Sequence, residues 1–268
     1  INTVGKVPWV AEFMVSRWAY EGLMVRHFKD NAFEKYFYEL EKDISIADFK
    51  QVYFLPKMLN VIDDAQMAFN EKNGELLENN LALLKNEFEK ESKKFGENPL
   101  LNNLTIKKFN TEVADNARDY VERLKEYYQK VFEMADKNRE KYINFWMDKN
   151  PALFNKKKKD YHNEAVADIL KKIYEKNKIV QYKDELIQQI DPIFLDPPTS
   201  NPVNFRAHFY APRKFFAGTF FDTFWFNVII IWLMTLLLYV TLYFELLKKA
   251  LGFWEKVQLN RKQKKKGI

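Results

Sequence analysis

The chain has 268 residues, with 43 Lys and Arg against 37 Asp and Glu, a formal net charge of +6 and no Cys. Its length suffices for one or two ordinary domains, and 47 % hydrophobic beside 30 % charged residues separates it from a disordered tail and from a wholly membrane-embedded chain. The missing Cys excludes disulfides, thiolate catalysis, iron–sulfur clusters and Cys-ligated zinc within these residues.

The chain begins at Ile1, not Met, and no cleavable signal pattern follows, so it is expected to be a piece of something larger. Residues 9–28 are nearly as apolar as a membrane span, yet they contain Glu12, Arg17, Glu21 and Arg26. A charge at mid-bilayer costs about 2.5–3.5 kcal/mol. Four outweigh the apolar gain unless they are paired or face a protein interior. Arg17 and Glu21 are four apart and fall on one helical face, where they are placed to pair. Two placements satisfy these constraints. One is a helix that enters the membrane edge behind neighbouring helices; the other is an ordinary amphipathic helix packed on a soluble domain.

The middle of the chain reads as helical. Ile44, Ser45, Asp48 and Phe49 have the layout of a capping box with a hydrophobic staple, predicting a helix start there. Its pattern runs through Val52, Tyr53, Ile62, Ala65 and Phe69, with Pro56 expected to kink or split it. Asn73-Gly74 is a stop, and a second helix follows on Leu77, Leu81, Leu84 and Phe88, closed by Phe95-Gly96 and Asn98-Pro99. The longest element is expected from about residue 111 to 147, roughly 55 Å. Val113, Ala117, Tyr120, Leu124, Tyr127, Val131, Met134, Asn138, Tyr142 and Phe145 alternate spacings of four and three, a heptad signature. Asn150-Pro151 ends it, and residues 156–159 form a four-lysine loop, a solvated turn or an anionic contact. A further helix fits Ala165, Ile169, Ile173 and Ile179, ending before Asp191-Pro192. No stretch alternates strictly, so no sheet is expected. Residues 191–212 hold five of the nine prolines and read as an extended, semi-rigid strap.

Residues 223–244 carry no charge, and at about 1.5 Å per residue they reach roughly 33 Å, enough to cross a bilayer core. Phe215, Phe216, Phe220, Phe221, Phe224 and Trp225 crowd one end, Tyr239, Tyr243 and Phe244 mark the other, and Trp232 lies between. After residue 244 come Lys248, Lys249 and six more basic residues against Glu245 and Glu255. The whole excess of +6 therefore sits in this tail, and the first 244 residues are formally neutral. What invites a nucleic-acid reading is instead a topology signal. Basic residues beside a span favour the cytoplasmic side, so the C-terminus is expected inside and residues 31–212 outside. Residues 246–260 also suit a short interfacial helix on an anionic leaflet.

Pro8-Trp9, then Ser16-Arg17-Trp18-Ala19-Tyr20-Glu21-Gly22-Leu23, closing on Phe28, resembles the segment after the fifth membrane helix of G-subfamily (white/eye-pigment-type) ABC transporters. That family's segment reads Ser-x-x-Arg-Tyr-x-x-Glu-Ala-Leu and ends in Asn-Glu-Phe; here Arg26-His27 precede Phe28. The resemblance implies re-entrant helices on the outer side, an external region, a last membrane helix and a short cytoplasmic tail. The external region here, about 180 residues, is enlarged as in bacterial members. Carried over, Trp9, Arg17, Trp18, Tyr20, Glu21 and Phe28 are the candidate re-entrant or gate residues. Trp225, Trp232, Tyr239, Tyr243, Lys248 and Lys249 are the candidate membrane anchors.

Catalytic signals are lacking in this sequence. There is no G-x-x-x-x-G-K-[ST] loop, H-E-x-x-H or G-x-S-x-G, and His27, His162 and His208 are far apart. The expected fold is all-α: a re-entrant-like segment over residues 1–30, a helical extracytoplasmic domain over 31–190, a strap over 191–212, an interfacial turn and membrane helix over 213–247, and a basic tail over 248–268. The expected function is part of an ABC exporter permease in the inner cell membrane, with no cofactor on this chain. ATP and Mg would lie in an associated cassette. The expected partners are the bilayer, that cassette, a second permease copy and an envelope-protein or lipid cargo, with no nucleic acid. The alternative is a single-span anchor whose helical ectodomain scaffolds an envelope complex.

Overall fold

The computed structural model describes residues 7–95, 98–199, 205–245, 248, 249 and 252. The sequence expectations for residues 1–6, for Pro202 and for the tail from residue 253 onward lie outside them.

The protein is mostly helical, with eight α-helices and two small hairpins among the described residues. A short 3-10 turn, Trp9–Phe13, leads into α1, Val15–Lys29. Helix α2 spans Tyr38–Phe49, eight residues earlier at its start than a cap at Ser45 requires. The upstream start has its own chemistry. Asn31 Oδ1 accepts the N–H groups of Phe33 and Glu34 at 2.8 and 2.7 Å, and Glu39 and Glu41 place negative charge in the first turn. Ser45 is therefore mid-helix.

Pro56 disturbs the helix as expected, one turn upstream of itself. Lys50–Phe54 form a π turn, and α3, Leu55–Asn70, carries Pro56 at its start. Proline has no N–H and its ring crowds the carbonyl four residues back, so the preceding turn widens instead of breaking.

The Asn stops in the sequence prove to be starts as well. Asn73 Oδ1 accepts from Leu76 N–H at 3.2 Å and opens α4, Gly74–Phe95. Asn110 caps α5, Thr111–Lys149, and Asn150 caps α6, Pro151–Tyr161. Asn163 caps α7, Glu164–Lys171. The four-lysine segment is thus helical, not a loop.

Helix α5 has 39 residues and is about 58 Å long. Its buried positions correct the heptad reading. Ala117, Tyr120, Leu124, Tyr128 and Ala135 face inward, whereas Tyr127, Met134, Asn138 and Phe145 are exposed. From Ala117 to Ala135 the inward stripe advances about 3.6 residues per turn, the period of a straight helix, so α5 lies along its neighbours without the supercoil a strict heptad imposes. Together α2, α3, α4 and α5 enclose the main core, in which Phe54, Leu55, Met58, Ile62 and Phe88 are fully buried.

Helix α7 ends at Lys171, where Lys172 turns left-handed (φ 50°), and Ile179 starts a strand instead of continuing a helix. Strands β1, Ile179–Tyr182, and β2, Glu185–Gln188, pair antiparallel, as do β3, Arg213–Phe216, and β4, Thr219–Asp222. The expectation of no sheet fails here because each hairpin is four residues a side, too short to show alternation. The β3–β4 turn has positive φ at Ala217 (50°) and Gly218 (81°), the two-residue pattern matching strand twist.

The strap is no bare linker. Ile193, Phe194, Ala207 and Ala211 are buried, and Phe194 packs with Val25, Phe28, Tyr38 and Leu170 in a second core. Tyr38 Oη donates to the Ile193 carbonyl at 2.8 Å.

Helix α8, Thr223–Tyr243, is long and apolar enough to cross a membrane, and only 11 % of its most apolar stretch is buried. A core helix of a soluble protein would be covered; this one attaches by Thr223, Phe226 and Asn227 and leaves the rest bare.

Phe88 is fully buried and meets the Tyr120 ring edge-on at 4.9 Å. Phe88→Ala is expected to destabilise the helical domain by about 3–5 kcal/mol in denaturant unfolding, whereas Met134→Ala stays within about 0.5 kcal/mol.

Candidate functional site

Six residues of α1 are buried: Arg17, Trp18, Glu21, Gly22, Val25 and Phe28. They recur at helical spacing, so the hidden face of α1 carries an Arg and a Glu among apolar neighbours. Glu21 has no exposed surface, and burying a carboxylate is costly unless its lone pairs are satisfied. Glu21 Oε1 accepts from Lys214 Nζ at 2.8 Å and from the Tyr210 N–H at 3.2 Å. Glu21 Oε2 accepts from Asn227 Nδ2 at 3.2 Å and lies 3.5 Å from the Arg17 guanidinium. Lys214 is itself 1 % exposed. Its burial pulls the ammonium below the usual lysine range, and the Glu21 carboxylate opposes that pull.

The network extends toward the N-terminus. Arg17 Nη1 lies 3.1 Å from Glu12 Oε2, and the guanidinium stacks 4.0 Å over the Trp18 ring. Trp18 Nε1 donates to the Glu12 carbonyl at 2.8 Å, and Arg206 approaches Glu12 from the strap at 3.7 Å.

Helices α1 and α8 run antiparallel. Lys29 pairs with Asp222 at 2.8 Å at the start of α8, whereas Trp18, three turns earlier in α1, accepts from Asn227 at 2.9 Å. Asp222 also caps α8 through the Phe224 N–H, and Arg26 lies over the Phe224 ring at 4.2 Å. Gly22 sits where the helices are closest: a Cβ there would lie 3.4 Å from Asn227 Cβ and 3.7 Å from Phe224 Cα. The contacts run from Lys29 back to Trp18 in α1 and from Asp222 on to Asn227 at the start of α8. The turn before α1 exposes Trp9, Val10, Phe13 and Met14.

The structure thus gathers Arg17, Trp18 and Glu21 of the sequence candidates into one site. Phe28 belongs to the second core, on Phe194 at 5.9 Å. Tyr20 is exposed and stacks on Phe209, away from the ion pairs, and Trp9 points outward against Phe13. Trp225, Trp232, Tyr239 and Tyr243 are all exposed on α8, Lys248 pairs with Glu245 at 3.2 Å, and Lys249 is exposed. Sequence reasoning missed Lys214 as the partner of Glu21. Asn227 was also missed, although its amide inside an uncharged apolar run was a visible signal. No cluster of three or more His, Asp or Glu among the described residues suits a metal ion.

His208 lies beside this network, its Nε2–H donating to the Pro192 carbonyl at 2.8 Å. Burial pulls its pKa down to about 4, aided by Lys214 and Lys172 and opposed by that carbonyl and Glu21. In an unfolded chain the imidazole sits near 6.5. Between these values the unfolded state binds a proton that the folded state refuses, so the stability contributed is complete above about pH 6.5 and is lost as pH falls toward 4.

Comparison with protein-family models, curated proteins and solved structures finds no match.

Two measurements check this site. Lys214→Ala leaves Glu21 buried without its main partner and is expected to cost about 3–5 kcal/mol in unfolding of the detergent-solubilised protein, with the double variant Glu21→Leu/Lys214→Met recovering much of the loss. His208→Gln is expected to flatten the fall of the thermal midpoint between pH 6.5 and 4.

Proposed function

We propose that the chain is the C-terminal part of the permease of an ATP-driven ABC exporter of the G-subfamily type. In this reading the helical domain lies outside the inner membrane, α8 is the last span, α1 enters the membrane edge from outside, and the basic tail is cytoplasmic. The observation that carries it is the antiparallel seat of α1 on the first turns of α8. Arg17 and Glu21 turn inward onto Lys214 and Asn227, while Trp9, Val10, Phe13 and Met14 turn outward. A segment dipping into lipid needs that division, because unpaired charge there is costly and apolar surface is not.

Aromatic residues support the same level. Phe216, Phe220 and Phe221 of the β3–β4 hairpin and Trp225 are exposed around the start of α8, suited to the headgroup region. ATP and Mg would bind a cassette outside this chain, a second permease copy would complete the path, and the outer domain would gate or hand over a lipid or envelope-protein cargo.

A second reading, a single-span anchor scaffolding an envelope complex, draws on α5. Tyr127, Met134 and Phe145 are exposed on one face of it, an apolar stripe open to another helix.

Membrane-impermeant maleimide labelling of single cysteines tests the topology in intact cells. Asn79→Cys, on the exposed side of α4, is expected to label from outside, and Gly267→Cys only after permeabilisation. Equal labelling of both overturns the arrangement. A stoichiometric ATP-binding cassette, fused or co-isolated, is expected for the transporter; its absence with the topology intact favours the scaffold.

A further inference from the structure

A cleft of about 970 Å³ lies between the α2–α4 part of the bundle, the β1–β2 hairpin and the strap. Half-buried Ile46, Ile187, Leu195 and Phe209 supply apolar lining, with Phe49, Phe54 and Phe194 buried behind it. Most of the charges that line it already answer one another. Lys50 pairs with Glu91 at 2.6 Å, Lys90 with Glu87 at 2.9 Å, and Arg17 with Glu12 and Glu21. Of the lining charges only Lys172, half-exposed to water, has no ion pair among the described residues, so the cleft offers a charged ligand one solvated cation.

What it lacks is a partner for backbone. The Gln189 N–H bonds to the Lys178 carbonyl at 3.0 Å, toward β1, whereas the Leu186 N–H points the other way, to Glu87 Oε1 at 2.9 Å. Inward and outward residues alternate along an antiparallel strand, so Leu186 and Gln188 both direct their N–H and C=O away from β1. All four residues 186–189 line the cleft. The Glu87 carboxylate occupies one outward group; the Leu186 carbonyl and both Gln188 backbone groups have no partner among the described residues. Gln189 Nε2, buried at the same wall, also lacks an acceptor there.

We propose that this edge of β2 receives an extended polypeptide segment as a third strand, which makes the cleft a peptide-binding site. A two-stranded hairpin is marginal alone, and an open edge is a template for pairing. An apolar small molecule would cover the Ile46, Ile187, Leu195 and Phe209 lining and leave the edge groups unmet. An extended peptide meets both, its alternate side chains reaching the wall and the mouth of the cleft in turn. The ligand class is therefore a segment with apolar residues at every second position. This inference does not rest on the transport reading, since a scaffold would use the same cleft.

The test uses the full chain in lipid nanodiscs, panned with a displayed library of random ten-residue peptides against empty nanodiscs. Enriched peptides are expected to alternate apolar and polar residues. N-methylation of one alternate set of their backbone nitrogens should weaken binding at least tenfold, and methylation of the intervening set should not. Gln188→Pro removes an edge N–H where an edge strand tolerates proline, and is expected to weaken binding at least tenfold with an unchanged thermal midpoint. If that variant unfolds, the N-methyl series on the parent protein decides alone. No enrichment over empty nanodiscs, or binding indifferent to the N-methyl series, overturns the proposal. So does a fluorescent fatty acid that displaces the enriched peptides competitively from the parent and binds Gln188→Pro equally well. Any of these results with the labelling pattern intact leaves the transport reading standing.

Discussion

The Glu21 carboxylate is the constraint around which the chain is arranged. It is buried without exposure, so it must collect donors, and it draws them from parts of the chain that are remote in sequence. Tyr210 comes from the strap, Lys214 from β3 and Asn227 from α8, between 189 and 206 residues away. Meeting that demand closes the two ends of the protein on each other. Buried ion pairs add little stability over an apolar substitute, but breaking one is expensive. Their effect here is on arrangement. Helix α1 is apolar on several sides, with Leu23 as bare as Trp18 is covered, so hydrophobicity alone leaves its rotation open. The Arg17–Glu21 face decides which side turns in, and Gly22 on that face lets α8 come close.

The remaining layout follows from that closure. The α2–α5 bundle packs its own apolar stripes and forms the larger core without α8. The smaller core, around Phe28, Phe194 and Leu170, joins the bundle to the α1–α8 pair. The strap runs through this junction, with Pro192 opening a buried turn and its carbonyl holding His208. Helix α8 is fastened near its start through Thr223, Phe226 and Asn227, which leaves the exposed apolar length that a bilayer would have to cover.

Local chemistry was legible wherever one residue type decides. Proline disturbed the helix one turn upstream of Pro56, and the Asn-Gly and Asn-Pro pairs marked element boundaries. The errors share a cause. The Ser45 pattern resembles a cap, but α2 already starts at Tyr38, behind a 3-10 turn over Glu34–Tyr36 and with Glu39 and Glu41 in its first turn. The α5 heptad misassigned Met134 and Asn138 because periods of 3.5 and 3.6 separate only over several turns, and the neighbours that select one of them are contributed by other helices. The hairpins were missed because each strand is only four residues long, and Lys172 in a left-handed turn ends the preceding helix without glycine.

By itself the sequence determined the bilayer-length apolar run, the location of its charge excess, the long helix, and the need for Arg17 and Glu21 to find partners. These depend on composition and on spacings within a few turns. Only the tertiary structure decided that Lys214 and Asn227 are the partners, that α1 lies antiparallel on α8, and that the edge of β2 opens on a cleft. Such pairings join residues nearly two hundred positions apart. Their energies come from desolvation and hydrogen bonding between surfaces that exist only after the helices have packed, and no local periodicity encodes them.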